Sequence, residues 1–286
     1  MITVLFSLLY LTASSPGVTA ETPPMLYRST DRGEHWAVYD DGIPEGAAPR
    51  EVVEGVDNLW LLTNQSGLYA LPAGSDKWEL RNEGLPENAF ALSIAVNGRH
   101  LAVGTYRHGV YVSHDGGRHW HPPIINLVNN AVWSLHFSGG VIVAGTDRGV
   151  YRSYDGGLGW LGDEDYLEIR SMVSHEDRLF AARRDGIRVS DDAGESWQSV
   201  YADSPVFRLT VADGILYATA RGNRELRSTD GGTSWHEATS TERRTAGTNL
   251  AEAIWRGTTV SMPNDRSVRA VYETSRGWFV GIMEGC

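Results

Sequence analysis

The stretch that decides the fold is Ser113-His114-Asp115-Gly116-Gly117-Arg118-His119-Trp120, because close copies of it recur along the chain. In each full copy a Ser is followed by Asp two residues later and by Trp seven residues later, and the other full copies begin at Ser29, Ser153, Ser190 and Ser228. A weaker copy spans Leu68 to Trp78, where Leu71 and Ala73 stand in place of the Ser and the Asp. Repetition of this regularity predicts a fold built from repeated structural units.

The residue types of the repeat predict a tight hairpin turn. An Asp side chain accepts N–H groups of the residues that follow it, a Ser hydroxyl adds a second local bond, and Gly permits positive φ. The Trp supplies a large ring to bury beneath neighbouring strands. We therefore assign structural roles to the repeat Asp and Trp residues, namely Asp31, Asp115, Asp155, Asp192, Asp230, Trp36, Trp120, Trp160, Trp197 and Trp235.

The spacing of the repeat predicts a β-propeller. Successive repeat tryptophans are 37 to 42 residues apart, and alternating apolar segments such as Gly149–Ser153 stand before the repeats. A period near 40 with four short strands per unit is typical of a propeller blade. The fold class is therefore all-β, a six-bladed β-propeller of four-stranded antiparallel blades.

The two ends of the chain are predicted to share one blade. Segments 268–272 and 278–282 have the pattern of the first two strands of a blade, and the chain then ends at Cys286. The missing third strand and turn are found at Met25 to Trp36. The N-terminal hairpin should therefore complete the C-terminal blade, which removes open sheet edges. The long interval after Trp235 predicts an insertion loop at about 236–266.

Composition and the N-terminus indicate an exported protein with one domain. Residues 1–20 combine an apolar core with Val18-Thr19-Ala20, typical of a signal peptide and its cleavage site, although an apolar N-terminal strand is the alternative. Residues 21–286 then form the propeller domain, secreted or periplasmic, with no membrane span. The net charge of −11 disfavours a nucleic-acid partner. The single Cys excludes an internal disulfide.

Antiparallel blades put all the repeat turns on one rim and the variable loops on the other, where function is usually found. At the start of the first strand of each blade one position reads, in order, Arg50, Leu92, Trp133, Arg170, Phe207 and Arg269. Arginines beside aromatic rings in a concave mouth suit an anionic group on a sugar or peptide. We predict ligand-binding residues Arg50, Arg170, Arg269, Trp133, Phe207, Arg208 and Tyr106; the alternative is salt bridging between blades. The histidine spacing indicates no metal site, and no cofactor is expected.

The repeat resembles the Asp-box, also called the BNR or sialidase-type repeat, over almost all of residues 25–286. Sialidases, xyloglucan-type glycosidases, sortilin-like receptors and photosystem II assembly factors share this repeat. The resemblance therefore implies the fold and leaves the function open.

Similarity to sialidases would imply an anionic-sugar hydrolase. Arg50, Arg170 and Arg269 would then form the arginine triad for the substrate carboxylate, Tyr272 the nucleophile, and Glu51 or Asp147 its partner or the acid. The aromatic-Arg-Ile-Pro motif of that family is absent, and the nearest text is Ala48-Pro49-Arg50-Glu51. The leading prediction is therefore a binding or scaffold module for a glycan, peptide or protein partner. Whether the protein is an enzyme is left open, with a sialidase-like glycoside hydrolase as the alternative.

Overall fold

The fold is taken from a computed structural model that describes residues 26–31, 35–64, 67–87, 89–124, 127, 130–163, 167–212, 214–238 and 267–283. Strands and turns make up these ranges, and none of them contains a helix. None therefore has the long apolar helix that crosses a membrane. The predicted signal peptide and residues 239–266 of the predicted insertion lie outside the described residues, while residues 236 and 237 form a strand.

The described strands form six antiparallel sheets, which we number along the chain. Sheets 1 to 3 contain β3 (Pro49–Glu54), β4 (Asn58–Thr63), β5 (Leu68–Pro72) and β6 (Glu79–Leu80); β7 (Ala91–Asn97), β8 (His100–Thr105) and β9 (Val110–Ser113); and β10 (Val132–Ser138), β11 (Val141–Thr146), β12 (Gly149–Ser153) and β13 (Leu161–Gly162). Sheets 4 to 6 contain β14 (Ile169–His175), β15 (Arg178–Arg183), β16 (Gly186–Ser190) and β17 (Gln198–Tyr201); β18 (Val206–Ala212), β19 (Ile215–Ala220), β20 (Arg224–Ser228) and β21 (His236–Glu237); and β22 (Ser267–Thr274), β23 (Gly277–Met283), β1 (Leu26–Ser29) and β2 (Ala37–Val38).

Sheet 2 differs from the predicted four strands. Its fourth position is a single bridge between Val112 and His121. The next two residues are Pro122 and Pro123, which lack the backbone N–H that would continue the ladder. The short outer strand therefore ends after one pair.

The first strands of consecutive sheets, which we call the A strands, lie beside one another. Contacts join β3 to β7, β7 to β10, β10 to β14, β14 to β18, and β22 to β3. The core lies between neighbouring sheets: one cluster packs Trp60 and Leu62 of sheet 1 against Ile94 and Trp120 of sheet 2. This arrangement is consistent with the predicted six-bladed propeller.

Sheet 6 is assembled from both ends of the chain, because β1 pairs with β23 from Leu26↔Gly281 to Ser29↔Trp278. A Cβ added at Gly281 would lie 2.9 Å from Cβ of Pro49, the first residue of sheet 1. Gly104 and Gly145 make the equivalent close contact with the first residue of the next sheet. Sheet 6 therefore meets sheet 1 in the way that sheets 2 and 3 meet their successors.

The repeated turns are built by local hydrogen bonds, as their residue types predict. In the fourth full copy the Ser190 hydroxyl donates to Asp192 at 2.7 Å, and it accepts the Gly194 N–H at 2.8 Å. Asp192 also accepts the Ser196 N–H at 2.8 Å. Desolvation works against ionisation, but these bonds prevail and lower the pKa of Asp192 to about 2. The other full copies have the same Ser-to-Asp bond.

Candidate functional site

Every A strand has a β-bulge at the same place. The pairing register shifts between Pro49 and Glu51 in sheet 1, and at the equivalent point in each of the other five sheets. The residues skipped by the ladder, which we call the bulge residues, are Arg50, Leu92, Trp133, Arg170, Phe207 and Arg269. Bulges re-aim side chains at sheet ends, and here they occupy the six positions that the sequence aligned.

The bulge residues differ in exposure from sheet to sheet. Leu92 is only 4% exposed, whereas Phe207 is 43% exposed and Arg170 is half exposed. Arg50 and Trp133 are partly buried. The side chain of Arg269 lies outside the described part of the structure, although its backbone belongs to β22. Among the bulge side chains that the structure describes, those of Arg170 in sheet 4 and Phe207 in sheet 5 are therefore the most accessible.

Four side chains form a continuous row, which we call the aromatic–arginine ribbon: Phe90, Tyr106, Trp133 and Arg170. The ring centroids of Phe90 and Tyr106 are 6.5 Å apart, and those of Tyr106 and Trp133 are 6.4 Å apart, both edge to face. The guanidinium carbon of Arg170 lies 5.6 Å from the Trp133 ring centroid. Each such contact contributes only about 1 kcal/mol of interaction energy, but together the three contacts hold the four side chains in one ordered row.

Glu168 anchors the charged end of the ribbon. It accepts a hydrogen bond from Arg170 Nε at 2.8 Å, and its other oxygen is 3.4 Å from Arg184 Nε. Glu168 is largely buried, while both arginines remain half exposed or more. One carboxylate therefore holds two guanidinium groups that keep free edges toward solvent.

A second charged group lies at the start of sheet 1. Arg50 Nε donates to the Leu92 carbonyl at 2.8 Å. Burial raises the pKa of the Glu51 carboxyl to about 7, against the lowering effects of the Arg50 and Arg208 charges and the Ile94 N–H. Arg208 is exposed on β18 of sheet 5, so Glu51 experiences charge from two sheets. Arg50 and Arg170, placed together by the sequence alignment, thus bind different partners.

Comparison of equivalent positions shows why Glu51 is unusual. The residue after the bulge is Ser93, Ser134 and Ser171 in sheets 2 to 4. Ser93 donates to the Val132 carbonyl at 2.9 Å, and Ser171 accepts the Leu209 N–H at 3.0 Å, both across sheet boundaries. Glu51 has a carboxylate at this position, where the Ile94 N–H acts on it as the Leu209 N–H acts on Ser171, while the equivalent residue in sheet 5 is Arg208. Aligning the position after the bulge residue would have identified this substitution in the sequence.

The remaining candidates separate in the structure. Asp147 accepts the Ala131 N–H at 3.1 Å, so its carboxylate caps a loop of sheet 3. Tyr272 belongs to β22, and its side chain lies outside the described residues. Among the residues that the structure describes, no group of three or more His, Cys, Asp or Glu could hold a metal ion.

No protein-family model matches the chain, and no curated protein matches it significantly. Solved structures of β-propeller proteins are similar to it. A structure of YCF48 bound to D1 peptide has 17% identity and a TM-score of 0.53, over 67% of this chain and 66% of that one. The extracellular domain of a hybrid two-component system from B. thetaiotaomicron has 13% identity and a TM-score of 0.62, over 91% and 34%.

A GH74 xyloglucanase from Xanthomonas campestris has 18% identity and a TM-score of 0.52, covering 68% of this chain and 38% of the enzyme. The chain thus spans less than two thirds of the length of each of these three structures. At such identities the likeness shows the propeller fold alone. These neighbours include a peptide complex, an extracellular domain and a hydrolase, so the fold is compatible with several functions.

Proposed function

We propose that this chain is an exported, closed six-bladed propeller of the Asp-box type, which binds a glycan, peptide or protein partner on the rim opposite the repeat turns. The observation that carries the proposal is the aromatic–arginine ribbon, an ordered row of rings and guanidinium across the ends of three sheets. Residues 1–20 would direct export. Loss of these residues from the secreted protein, measured by intact mass, tests that part.

The chemistry of the ribbon suits an extended ligand with an anionic group. Aromatic faces and edges pack against sugar rings or peptide side chains at little entropic cost. Arg170 and Arg184 are held by Glu168, which leaves guanidinium edges for a ligand carboxylate or sulfate. Phe207 and Arg208 would extend this surface into sheet 5, and Arg50 and Arg269 would complete the mouth. The peptide complex of a propeller with similar fold supports this general mode.

Glycan and peptide arrays provide the test, with each hit measured by calorimetry. Trp133→Ala and Arg170→Ala should each weaken binding by 10-fold or more, since central aromatic and Arg contacts typically contribute about 2 kcal/mol or more. Arg118→Ala is the matched control, because Arg118 is an exposed arginine in a repeat turn. An array hit that both ribbon variants retain at full affinity would refute the proposed site.

A second function, a sialidase-like glycoside hydrolase, is favoured by the Glu51 carboxyl. Its pKa of about 7 would keep part of it protonated near neutrality, which a general acid requires. Arg50, Arg170 and Arg269 would then bind a substrate carboxylate, with Tyr272 as the nucleophile. Asp147 is the weaker partner, because it already caps a loop.

Fluorogenic sialosides and neutral glycosides distinguish the two functions. A hydrolase should show turnover that falls by at least about 100-fold in Glu51→Gln and in Tyr272→Phe. If no substrate is cleaved while array binding depends on Trp133, the protein is a binding module. If cleavage survives both substitutions, the proposed catalytic groups are wrong.

A further inference from the structure

Two histidines meet on the rim that carries the repeat turns, opposite the aromatic–arginine ribbon. His100 begins β8, and His114 follows β9. Their Nδ1 atoms are 3.0 Å apart, and their rings meet at 69° with centroids separated by 5.2 Å. Both side chains are exposed. The pairing of Leu101 with Ser113 puts the two histidines at the next cross-strand position of the same hairpin.

The backbone beneath this pair is held at two points. Ser113 Oγ donates to Asp115 at 2.8 Å and accepts the Gly117 N–H at 2.8 Å, which shapes the turn that carries His114. Gly116 N–H donates to the Arg99 carbonyl at 3.1 Å, which ties this turn to the turn that precedes His100. The separation of the two imidazoles is therefore set by a stapled hairpin.

The pair also differs from the nearby histidine in its partners. His119 Nδ1 is 2.6 Å from Asp115, and its Nε2 is 3.5 Å from Glu83. Within the described residues, the side chains of His100 and His114 hydrogen-bond only to each other. A hydrogen bond between two neutral imidazoles requires one ring to carry its proton on Nδ1, and transfer of that proton to Nε2 of the same ring leaves both Nδ1 lone pairs available to a metal ion.

We infer that His100 and His114 form a binding site for a divalent transition metal ion, with Cu²⁺ or Ni²⁺ preferred. With metal–nitrogen bonds of about 2.0–2.1 Å, a nitrogen separation of 3.0 Å corresponds to an angle of about 94° at the metal. Square-planar Cu²⁺ and Ni²⁺ place neighbouring ligands near 90°, whereas tetrahedral Zn²⁺ would require about 3.4 Å between the nitrogens. Water would fill the remaining positions.

Equivalent positions in the other sheets show that this pair is particular to sheet 2. The same cross-strand location holds Val141 and Tyr154 in sheet 3, and Ile215 and Thr229 in sheet 5. In sheet 4 it holds Arg178 and Asp191, whose Nε and Oδ1 atoms are 3.9 Å apart. The repeated hairpin thus brings side chains together at a fixed place, and only the sheet 2 residues have two nitrogen ligands.

The test is Cu²⁺ titration of the full chain, prepared without a polyhistidine tag, by calorimetry at pH 7.5. One equivalent should bind, and electron paramagnetic resonance should show two equatorial imidazole nitrogens. His100→Gln and His114→Gln should each weaken binding by more than about 10-fold and leave one nitrogen. His121→Gln, at an exposed histidine outside the pair, should bind Cu²⁺ as the wild type does.

The inference is wrong if wild-type protein binds no copper at micromolar concentration, or if either pair variant retains wild-type affinity. It is also wrong if His121→Gln weakens binding as much as the pair variants, since copper would then be held by scattered surface histidines. The double variant Ile215→His/Thr229→His provides a gain-of-binding check. A second bound equivalent in that protein is expected if the stapled hairpin geometry creates the site.

Discussion

Phe279→Ala tests how strongly the two ends of the chain are held together. Phe279 lies on β23 of sheet 6 and is 0% exposed. Its ring meets Tyr39 edge to face at 5.8 Å and Trp78 at 6.5 Å. Tyr39 follows β2 near the N-terminus, and Trp78 belongs to sheet 1. The ring therefore joins three separate parts of the chain, its own strand and the segments that carry Tyr39 and Trp78.

The expected loss in unfolding free energy is about 4 kcal/mol. Truncation of a fully buried Phe to Ala typically costs about 3–5 kcal/mol, which combines lost burial with the cavity left behind. The two edge-to-face contacts, worth roughly 0.5–1.5 kcal/mol each, are part of that total. A loss of this size is close to a thousandfold change in the folding equilibrium. It would consume much of a typical domain's total stability of about 5–15 kcal/mol.

Urea unfolding followed by tryptophan fluorescence measures this loss, and Phe207→Ala is the matched control. Phe207 is 43% exposed, so its truncation should cost less than about 1 kcal/mol. Phe180→Ala supplies a second comparison, because Phe180 is equally buried in the cluster between sheets 4 and 5. If Phe279→Ala costs no more than Phe207→Ala, the packing of sheet 6 against sheet 1 described above is refuted.

Three further predictions concern charges. Asp192→Asn should lower the free energy of unfolding by about 1 kcal/mol or less, because solvent screens this exposed carboxylate. Since the folded-state pKa of Asp192 is lowered to about 2, the loss should be full above pH 4 and should vanish as the pH falls toward 2. Melting temperatures of both proteins at pH 6 and pH 3 measure this difference. Glu51 has a raised pKa, so its contribution to folding stability is present below the unfolded pKa near 4.5 and is lost as the pH rises through 7. Glu51→Gln should therefore gain stability relative to wild type between pH 5 and pH 8. Stability curves of the two proteins that run parallel over this pH range would contradict the prediction. Arg276 donates to the Leu71 and Pro72 carbonyls of sheet 1, at 3.1 Å and 3.2 Å, so Arg276→Ala should cost about 1–3 kcal/mol in urea unfolding, against roughly 0.5 kcal/mol or less for Arg118→Ala.

Much of the fold could be predicted because the repeat is local. The Ser, Asp and Gly of each repeat bond to residues within four positions, so their geometry follows from the sequence of the turn itself. The alignment of the bulge residues followed from the same period, and the register shift occurs there in all six sheets. The single bridge in sheet 2 was missed, although Pro122 and Pro123 carried the signal.

The site was less predictable, because its contacts join residues about 40 positions apart in neighbouring sheets. Sequence alignment grouped Arg50 with Arg170, but their contacts differ. Arg50 donates to the Leu92 carbonyl, whereas Arg170 donates to Glu168 and lies over the Trp133 ring. The Tyr106–Trp133 contact and the charge of Arg208 acting on Glu51 also cross sheet boundaries. When a side chain has several possible partners, tertiary packing determines which one it contacts, and the repeat period carries no information about that packing.

By itself, the sequence determined the repeated hairpin turn, the number of sheets and the sharing of sheet 6 between the chain ends, because turn chemistry and alternating strands act over a few residues. Tertiary structure alone decided which bulge residues are accessible, which partner each arginine binds, that the Glu51 carboxyl is buried, and that His100 faces His114. Those properties depend on distances between strands and on local desolvation. Both arise only when similar sheets, with different side chains at equivalent positions, pack against one another.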